Sequence, residues 1–296
     1  MDTILWLQSF SSPALDAFFK GITFLGEADF YLLTIPILYW LYDKNFILKF
    51  CLLFAGTIYL NSIIKENFSL PRPDESVRKI QETGYTFPSC HAMSTTAYWG
   101  YLAKRINKPW AYILAAFIVI LVSLSRVYLG VHYARDIIGG ILISMMLLYL
   151  YSAVSESLFL QVSKKTWFLG TLFICVLLFL SHSSYYGPLV IGFLLGILWG
   201  YRLDLEYVNW TEKASLVQNM LKITIGIAIL FGLRIVIKAF FLDVLDLDKE
   251  TLLGYLFIDT VRYFILGIWV TFGAPLTFKV LRLQKSDQGY FVRITQ

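Results

Sequence analysis

Long apolar stretches separated by short polar connections dominate the chain. Nine runs stand out: 28–42, 46–64, 91–103, 109–129, 137–154, 167–180, 186–201, 217–241 and 252–280. Roughly 20 apolar residues in a helix cross about 30 Å of hydrocarbon. Lipid offers backbone polar groups no partner, so such runs fold as helices. The first, third and sixth runs are short. The pattern predicts an all-α, polytopic transmembrane helical bundle of about nine spans. Ahead of it, Ser12 can cap a helix that has Pro13 at its first position. Leu15, Phe18, Phe19 and Ile22 follow at helical spacing, with Asp16 and Lys20 on other faces. This stretch is too short and too charged to span, and it predicts an N-terminal interfacial helix lying along the membrane.

Composition agrees with that pattern. The chain is 58% hydrophobic and only 15% charged, against about 25% charged in a soluble domain. The net charge of +5 is not gathered into a basic stripe between aromatic platforms, so no nucleic-acid partner is expected. Cys51 and Cys175 lie in apolar runs and, with Cys90, make an odd number. They read as buried small hydrophobes or lone thiols, not as a disulfide framework. The first residues lack a basic n-region, which predicts no signal peptide, and no lipidation motif is visible. One set of connections carries Lys44, Lys49, Lys104, Arg105, Lys108, Lys164, Lys165, Arg202, Lys213, Lys279, Arg282, Lys285 and Arg293, and the other set carries fewer cations. The positive-inside rule makes the first set cytoplasmic, with the N-terminus outside and the C-terminus inside. Residues 66–88 then form one long polar loop on the outer face, which invites a functional reading.

Three segments on that outer side hold the reactive residues. Lys65 closes a span, and Arg72 follows between Pro71 and Pro73. Pro88-Ser89-Cys90-His91 opens the third span. Ser125-Arg126, His132 and Asp136 lie between the fourth and fifth. Lys65, Arg72 and Arg126 can gather three positive charges, which suits a phosphate monoester carrying close to two negative ones. A lone cation at a span end usually snorkels to the headgroups; three converging beside two histidines argue for a site. Backbone N–H groups at Ser89 and Cys90, where a helix starts, favour an oxyanion, and Ser89 serves equally as an N-cap. His132 and Asp136 are four apart, on one face if helical, so Asp136 can take the Nδ1 proton and leave Nε2 free to attack. His91 then protonates the leaving oxygen and later activates water. His182 lacks such company and reads as structural. No metal is expected, since two histidines and a carboxylate sit among three cations, and no other cofactor is implied.

These residues resemble the type 2 phosphatidic acid phosphatase superfamily, whose pattern is K-x6-R-P, P-S-G-H and S-R-x5-H-x3-D. Here the pattern reads Lys65 to Arg72-Pro73, Pro88-Ser89-Cys90-His91, and Ser125-Arg126 to His132 to Asp136. The resemblance covers roughly residues 13–155. It implies a metal-independent phosphatase with His132 as nucleophile, His91 as acid, and Lys65, Arg72, Ser89, Cys90 (through its backbone) and Arg126 around the phosphate. Cys90 departs from the usual glycine. Sphingosine-phosphate phosphatases are similar in the stretch His91-Ala92-Met93-Ser94, so Cys90 is not read as inactivating. The expected division is a phosphatase core with the interfacial helix and five spans in residues 1–155, and about four additional spans in 156–296.

Within the added region Gly192, Gly196 and Gly200 form a small-residue ridge. It suits packing inside one chain or a homo-oligomer face. Arg234, Lys238, Asp259 and Arg262 lie at membrane depth, where ionisable residues are paired or functional. A structural pair of Asp259 with Arg262 or Arg234 is expected, with a headgroup role second. The leading function is hydrolysis of a lipid phosphate monoester through a phosphohistidine, on the extracytoplasmic face. The alternatives are a sugar phosphate, a polyprenyl diphosphate, transfer to an acceptor other than water, and a non-catalytic transporter or receptor on the same scaffold.

Overall fold

The structure, a computed structural model, describes residues 1–153, 163–181, 187–244 and 252–284. His182, Lys249, Lys285 and Arg293 lie outside the described residues. The described chain is helical, with no strand: α1 Asp2–Gln8, α2 Pro13–Thr23, α3 Ala28–Leu41, α4 Lys44–Phe68, α5 Cys90–Ile106, α6 Pro109–Tyr128, α7 Ala134–Ala153, α8 Lys164–Ser181, α9 Gly187–Leu203, α10 Leu216–Ala239, α11 Leu252–Ile268 and α12 Ala274–Val280. Each of the nine apolar runs forms a helix. Among the described residues six helical stretches are long and apolar enough to cross a membrane: Lys44–Phe68, Pro109–Tyr128, Ala134–Ser152, Gly187–Val208, Leu216–Asp243 and Phe257–Val280. The other three expected spans, in α3, α5 and α8, are the short runs. The stretch expected at the interface, Pro13–Gly26, joins α3 at a bend of 50°, and the pair together is apolar enough to count as one further span.

The chain divides into two compact units. The first holds Met1–Thr34, Lys49–Trp167 and Val176–Val190. In it α2 starts as its sequence predicts, with Leu15 N–H donating to Ser12 Oγ at 3.2 Å. Phe19 on its buried side packs on Tyr128, Leu129 and Val131. α1 was not foreseen. Its Ile4 is buried with Ala92, Val127 and Ile137, and Gln8 Nε2 donates to Val77 O at 2.7 Å and Tyr128 O at 2.9 Å. The 69–89 loop is thus tied to α1 on one side. On the other it lies so close to Gly130 (φ +72°) that a Cβ there would meet Val77 O. Only glycine meets both demands, the left-handed backbone and the close approach. α7 approaches the start of α5 through Gly140, where a Cβ would stand 3.0 Å from Ser89 O.

The second unit holds Ile35–Leu48, Phe168–Cys175 and Ile191–Gln296. The glycine ridge finds its partner here. A Cβ at Gly192 would strike Thr260 O, one at Gly196 would strike Phe264 O, and one at Gly200 would strike Thr271 Oγ1. The ridge is therefore filled by residues 260–271 of its own chain, the first of the two packings its pattern suits. Asp259 and Arg262 pair at 3.5 Å one turn apart on α11. Between α11 and α12 the helix widens to a π turn, Trp269–Gly273. Pro275 has no N–H for Thr271 O. Tyr39 OH approaches that carbonyl at 3.5 Å, and Trp40 Nε1 donates to Val270 O at 2.8 Å. After α9 a second π turn, Asp204–Val208, leads into a connection held by lysines. Lys279 Nζ donates to Val208 O at 2.5 Å, Lys44 Nζ to Trp210 O at 2.6 Å, and Lys222 Nζ to Glu212 O at 3.1 Å. Lys44 is also ion-paired with buried Asp204 at 2.6 Å.

Candidate active site

Every residue expected around the phosphate chemistry lies in the first unit. α4 delivers Lys65 near its last turn, where Nζ donates to Tyr85 O at 2.5 Å and approaches Thr86 O at 3.4 Å. Pro71 and Pro73 stiffen the backbone around Arg72. Arg72 Nε donates to Thr83 O and Gly84 O, each at 3.1 Å, and Nη1 to Val131 O at 3.0 Å. Two of the three expected phosphate cations therefore hold carbonyls of the 69–89 loop. The third, Arg126, is almost wholly buried at the end of α6. Its Nη1 donates to Thr23 Oγ1 at 2.8 Å and its Nη2 to Glu82 Oε1. Glu82 Oε2 lies 3.6 Å from Arg72 Nη2. One carboxylate thus bridges the two arginines, one oxygen toward each.

Ser89 is the N-cap of α5, its Oγ accepting from Ala92 N–H at 3.4 Å, and its own N–H is taken by Asp136 O at 3.1 Å. A hydroxyl that accepts as a cap still has its proton to donate. Cys90 is the first residue of α5 and its thiol is free. His91 stands beside it, with Nε2 at 3.0 Å from Glu27 Oε1. That hydrogen bond, ahead of the charge of Arg126, holds the Glu27 carboxyl below its usual range.

His132 is 2% exposed and sits in the turn before α7, not on a helix with Asp136 as its spacing allowed. Asp136 is in the first turn of α7 with no exposed surface. Its Oδ2 accepts from Thr86 Oγ1 at 2.5 Å and Tyr133 N–H at 2.8 Å, and lies 3.5 Å from His132 Nδ1. The last separation exceeds an ordinary N–H···O bond. Thr86 closes the gap, its Oγ1 lying 3.1 Å from His132 Nδ1. Since the Thr86 proton goes to Asp136, the Thr86 oxygen accepts, and Nδ1 carries the hydrogen. The other ring nitrogen agrees. Arg72 Nη1 lies 3.3 Å from Nε2, and a guanidinium only donates, so Nε2 presents its lone pair. Burial, reinforced by Lys65, Arg126 and Arg72 and opposed by the hydrogen bond to Asp136, holds the His132 imidazole well below its usual pKa. A buried, neutral imidazole with Nε2 unprotonated among three cations can act as a nucleophile toward an anionic phosphorus centre.

The likeness to known proteins follows the same residues. Residues 46–160 match the PAP2 superfamily, and residues 189–286 match the PAP2 superfamily phosphatase, transmembrane extension. Phosphatidylglycerophosphatase B of Bacillus subtilis (strain 168) is 33% identical over 159 residues, which cover 49% of this chain and 78% of that protein. This chain belongs to the PAP2 superfamily. Lipid phosphate phosphatase delta of Arabidopsis thaliana is 32% identical over 174 residues, covering 52% of this chain and 42% of that protein. A probable sphingosine-1-phosphate phosphatase of Dictyostelium discoideum is 28% identical over 158 residues, covering 48% and 39%. The chain thus spans less than half the length of these last two relatives.

In this PAP2 chain the structure brings Lys65, Arg72, Arg126 and Asp136 together around His132, and links Ser89 to Asp136 and His91 to Glu27. Sequence reasoning missed Thr23, Glu27, Glu82 and Thr86. Glu82 and Thr86 lie in the long polar loop that was singled out, but nothing in their spacing assigned them partners. Thr23 and Glu27 flank the short 3-10 turn Phe24–Gly26 between α2 and α3.

Proposed function

We propose that this chain is an integral-membrane phosphatase that hydrolyses a lipid phosphate monoester, without a metal, through a phosphohistidine at His132. The observation that carries this reading is the His132 ring, with Nδ1–H held by Thr86 and Asp136 and the Nε2 lone pair beside Arg72. Nε2 attacks phosphorus, the ester P–O bond breaks, and protonated His91 gives its proton to the departing oxygen. Neutral His91 then takes a proton from water. The hydroxide attacks phosphorus, the P–N bond breaks, and inorganic phosphate leaves with His132 restored.

Lys65, Arg72 and Arg126 bind the phosphate oxygens, joined by Ser89 Oγ–H and the Cys90 N–H at the α5 start; the Ser89 N–H, expected to join them, is held by Asp136 O instead. To do so the substrate dianion replaces loop carbonyls and the Glu82 carboxylate as partner of these cations. A metal has no obvious seat, because Asp136, Glu27 and Glu82 are each engaged by a histidine, a hydroxyl or an arginine. The catalytic machinery belongs to residues 1–155 and faces the extracytoplasmic side, by the distribution of Lys and Arg. Single-chain substrates such as sphingoid-base phosphates are favoured by His91-Ala92-Met93-Ser94 and by the name of the Dictyostelium relative.

The test is phosphate release by the purified chain and a His132→Ala control, with EDTA present. The panel is a sphingoid-base phosphate, phosphatidate, a polyprenyl diphosphate and glucose 6-phosphate. Radioactive phosphate should be trapped on the active chain in an acid-labile, base-stable form and be absent from the control. Equal release by both proteins would remove His132 as the nucleophile.

A further inference from the structure

The segment ahead of the matched family region reaches the site through the end of α2 and the turn that follows it. The PAP2 match begins at residue 46, yet three residues at the α2–α3 junction, Thr23, Gly26 and Glu27, touch the proposed machinery. Thr23 Oγ1 accepts from Arg126 Nη1 at 2.8 Å. Gly26 lies so near His91 that a Cβ would stand 2.6 Å from the ring Cδ2 and 3.1 Å from Cγ. Glu27 Oε1 meets His91 Nε2 at 3.0 Å and lies 3.9 Å from Arg126 Nη1.

We propose that the turn Thr23–Glu27 is a working part of the active site, and that Glu27 is a positioning residue that orients His91 and favours its protonated form for its work as the acid. This rests on the reading of His91 as the group that protonates the leaving oxygen. The site then holds two histidine–carboxylate pairs of opposite purpose. Asp136 and Thr86 fix the tautomer of a neutral His132, whereas Glu27 favours the imidazolium of His91. Burial of the His91 ring disfavours its proton and Arg126 from α6 adds to that, whereas Glu27 from the turn and Glu82 from the 69–89 loop stabilise it. Glu27 is the charged group in direct contact with the ring, so losing its charge leaves burial and Arg126 less opposed. Glu27 stays ionised throughout, and the proton that moves is His91's. Gly26 sets the ring plane, because any side chain there would push the imidazole away from the carboxylate.

The experiment uses the full chain in mixed micelles with two soluble-headed monoesters, one of an alkyl alcohol and one of nitrophenol. The alkoxide is a strong base and needs a proton as it leaves; nitrophenolate does not. Glu27→Gln should cut kcat on the alkyl ester by about tenfold or more. On the nitrophenyl ester it should cost less than about threefold, and the alkaline limb of kcat/KM should move down by about one pH unit. Glu27→Asp should restore part of the alkyl rate. The ratio of the two rates does not depend on how much of the chain is folded, so a poorly folding variant still reads out. Equal losses on both esters, with the alkaline limb unmoved, would overturn the proposal. So would an unchanged ratio. His91→Gln measured beside it separates the two levels. If His91→Gln shows no dependence on the leaving group, the acid assignment itself is wrong; if it shows one and Glu27→Gln does not, only the role of Glu27 falls.

Discussion

Thr86 offers the sharpest test of how His132 is held. It is fully buried, its hydroxyl donates to Asp136 Oδ2 at 2.5 Å, and its oxygen faces His132 Nδ1 at 3.1 Å. Thr86→Val keeps the shape of the side chain and removes only these two bonds. Asp136 Oδ2 is then left with Tyr133 N–H and with Nδ1 at 3.5 Å. A hydrogen bond to a charged group is worth about 1.5–3 kcal/mol net. Freed from Thr86, the ring can also present Nε2–H, which cannot attack. If that energy is expressed at the transition state, kcat/KM falls roughly tenfold to a hundredfold at about 1.4 kcal/mol per decade. Thr86→Ser keeps the hydroxyl and should stay within about threefold of the parent on the same reasoning. The assay is initial-rate phosphate release below KM, with a thermal unfolding curve for each variant. A Thr86→Val enzyme within about twofold of the parent would refute the bridge and return the orienting role to Asp136 alone.

Three further outcomes follow from the same geometry. His132 is held neutral, so its folded pKa lies below the unfolded value of about 6.5. Its contribution to stability is present in full above that value and is lost as the pH falls from it through the folded pKa. The unfolding midpoint measured in detergent should fall over that range, and His132→Asn should flatten the fall. For the same reason the acid limb of kcat/KM should lie below about pH 6.5; a limb above it would contradict the depressed value. Glu82→Gln removes the anion that bridges Arg72 and Arg126, so the inhibition constant for inorganic phosphate should drop by about tenfold. A rise would show that Glu82 organises the arginines instead of competing with the ligand. Gly196→Val would force a side chain into Phe264 O and should cost about 1–3 kcal/mol or more, read as a lowered unfolding midpoint at every protein concentration.

The helices were legible because lipid demands long apolar runs, and all nine runs became helices with ends shifted by a few residues. The π turn at Trp269–Gly273 hid inside the run 252–280. Only Pro275 marked it, and a proline does not say which residues will supply the missing donors. The motif cations and histidines were legible because their spacing is tied to helix ends. Their partners were not. Glu27, Glu82 and Thr86 reach the site through loops and turns, where no periodicity links position to direction. His132 shows the limit well: four residues separate it from Asp136, yet it lies before the helix, and a threonine 46 positions away makes the shorter contact. The glycine ridge was legible as a close-packing surface, but its partner was not, since the same small residues admit a neighbour from this chain or another.

The lysine-held connection after α9 has a consequence for how the second unit is made. Its three carbonyls, Val208, Trp210 and Glu212, take ammonium groups from α12, α4 and α10 in turn. Those donors are far apart along the chain, and Lys279 emerges from the ribosome last. Buried carbonyls without donors are costly, and domains form progressively as synthesis proceeds. The connection therefore closes only when the final helix docks, which makes it a completion mark for the unit. A chain cut short after α10 would carry Lys44 and Lys222 but leave Val208 O without Lys279. Its damage would surface near residue 208, about 30 positions upstream of the cut, where a protease could find it.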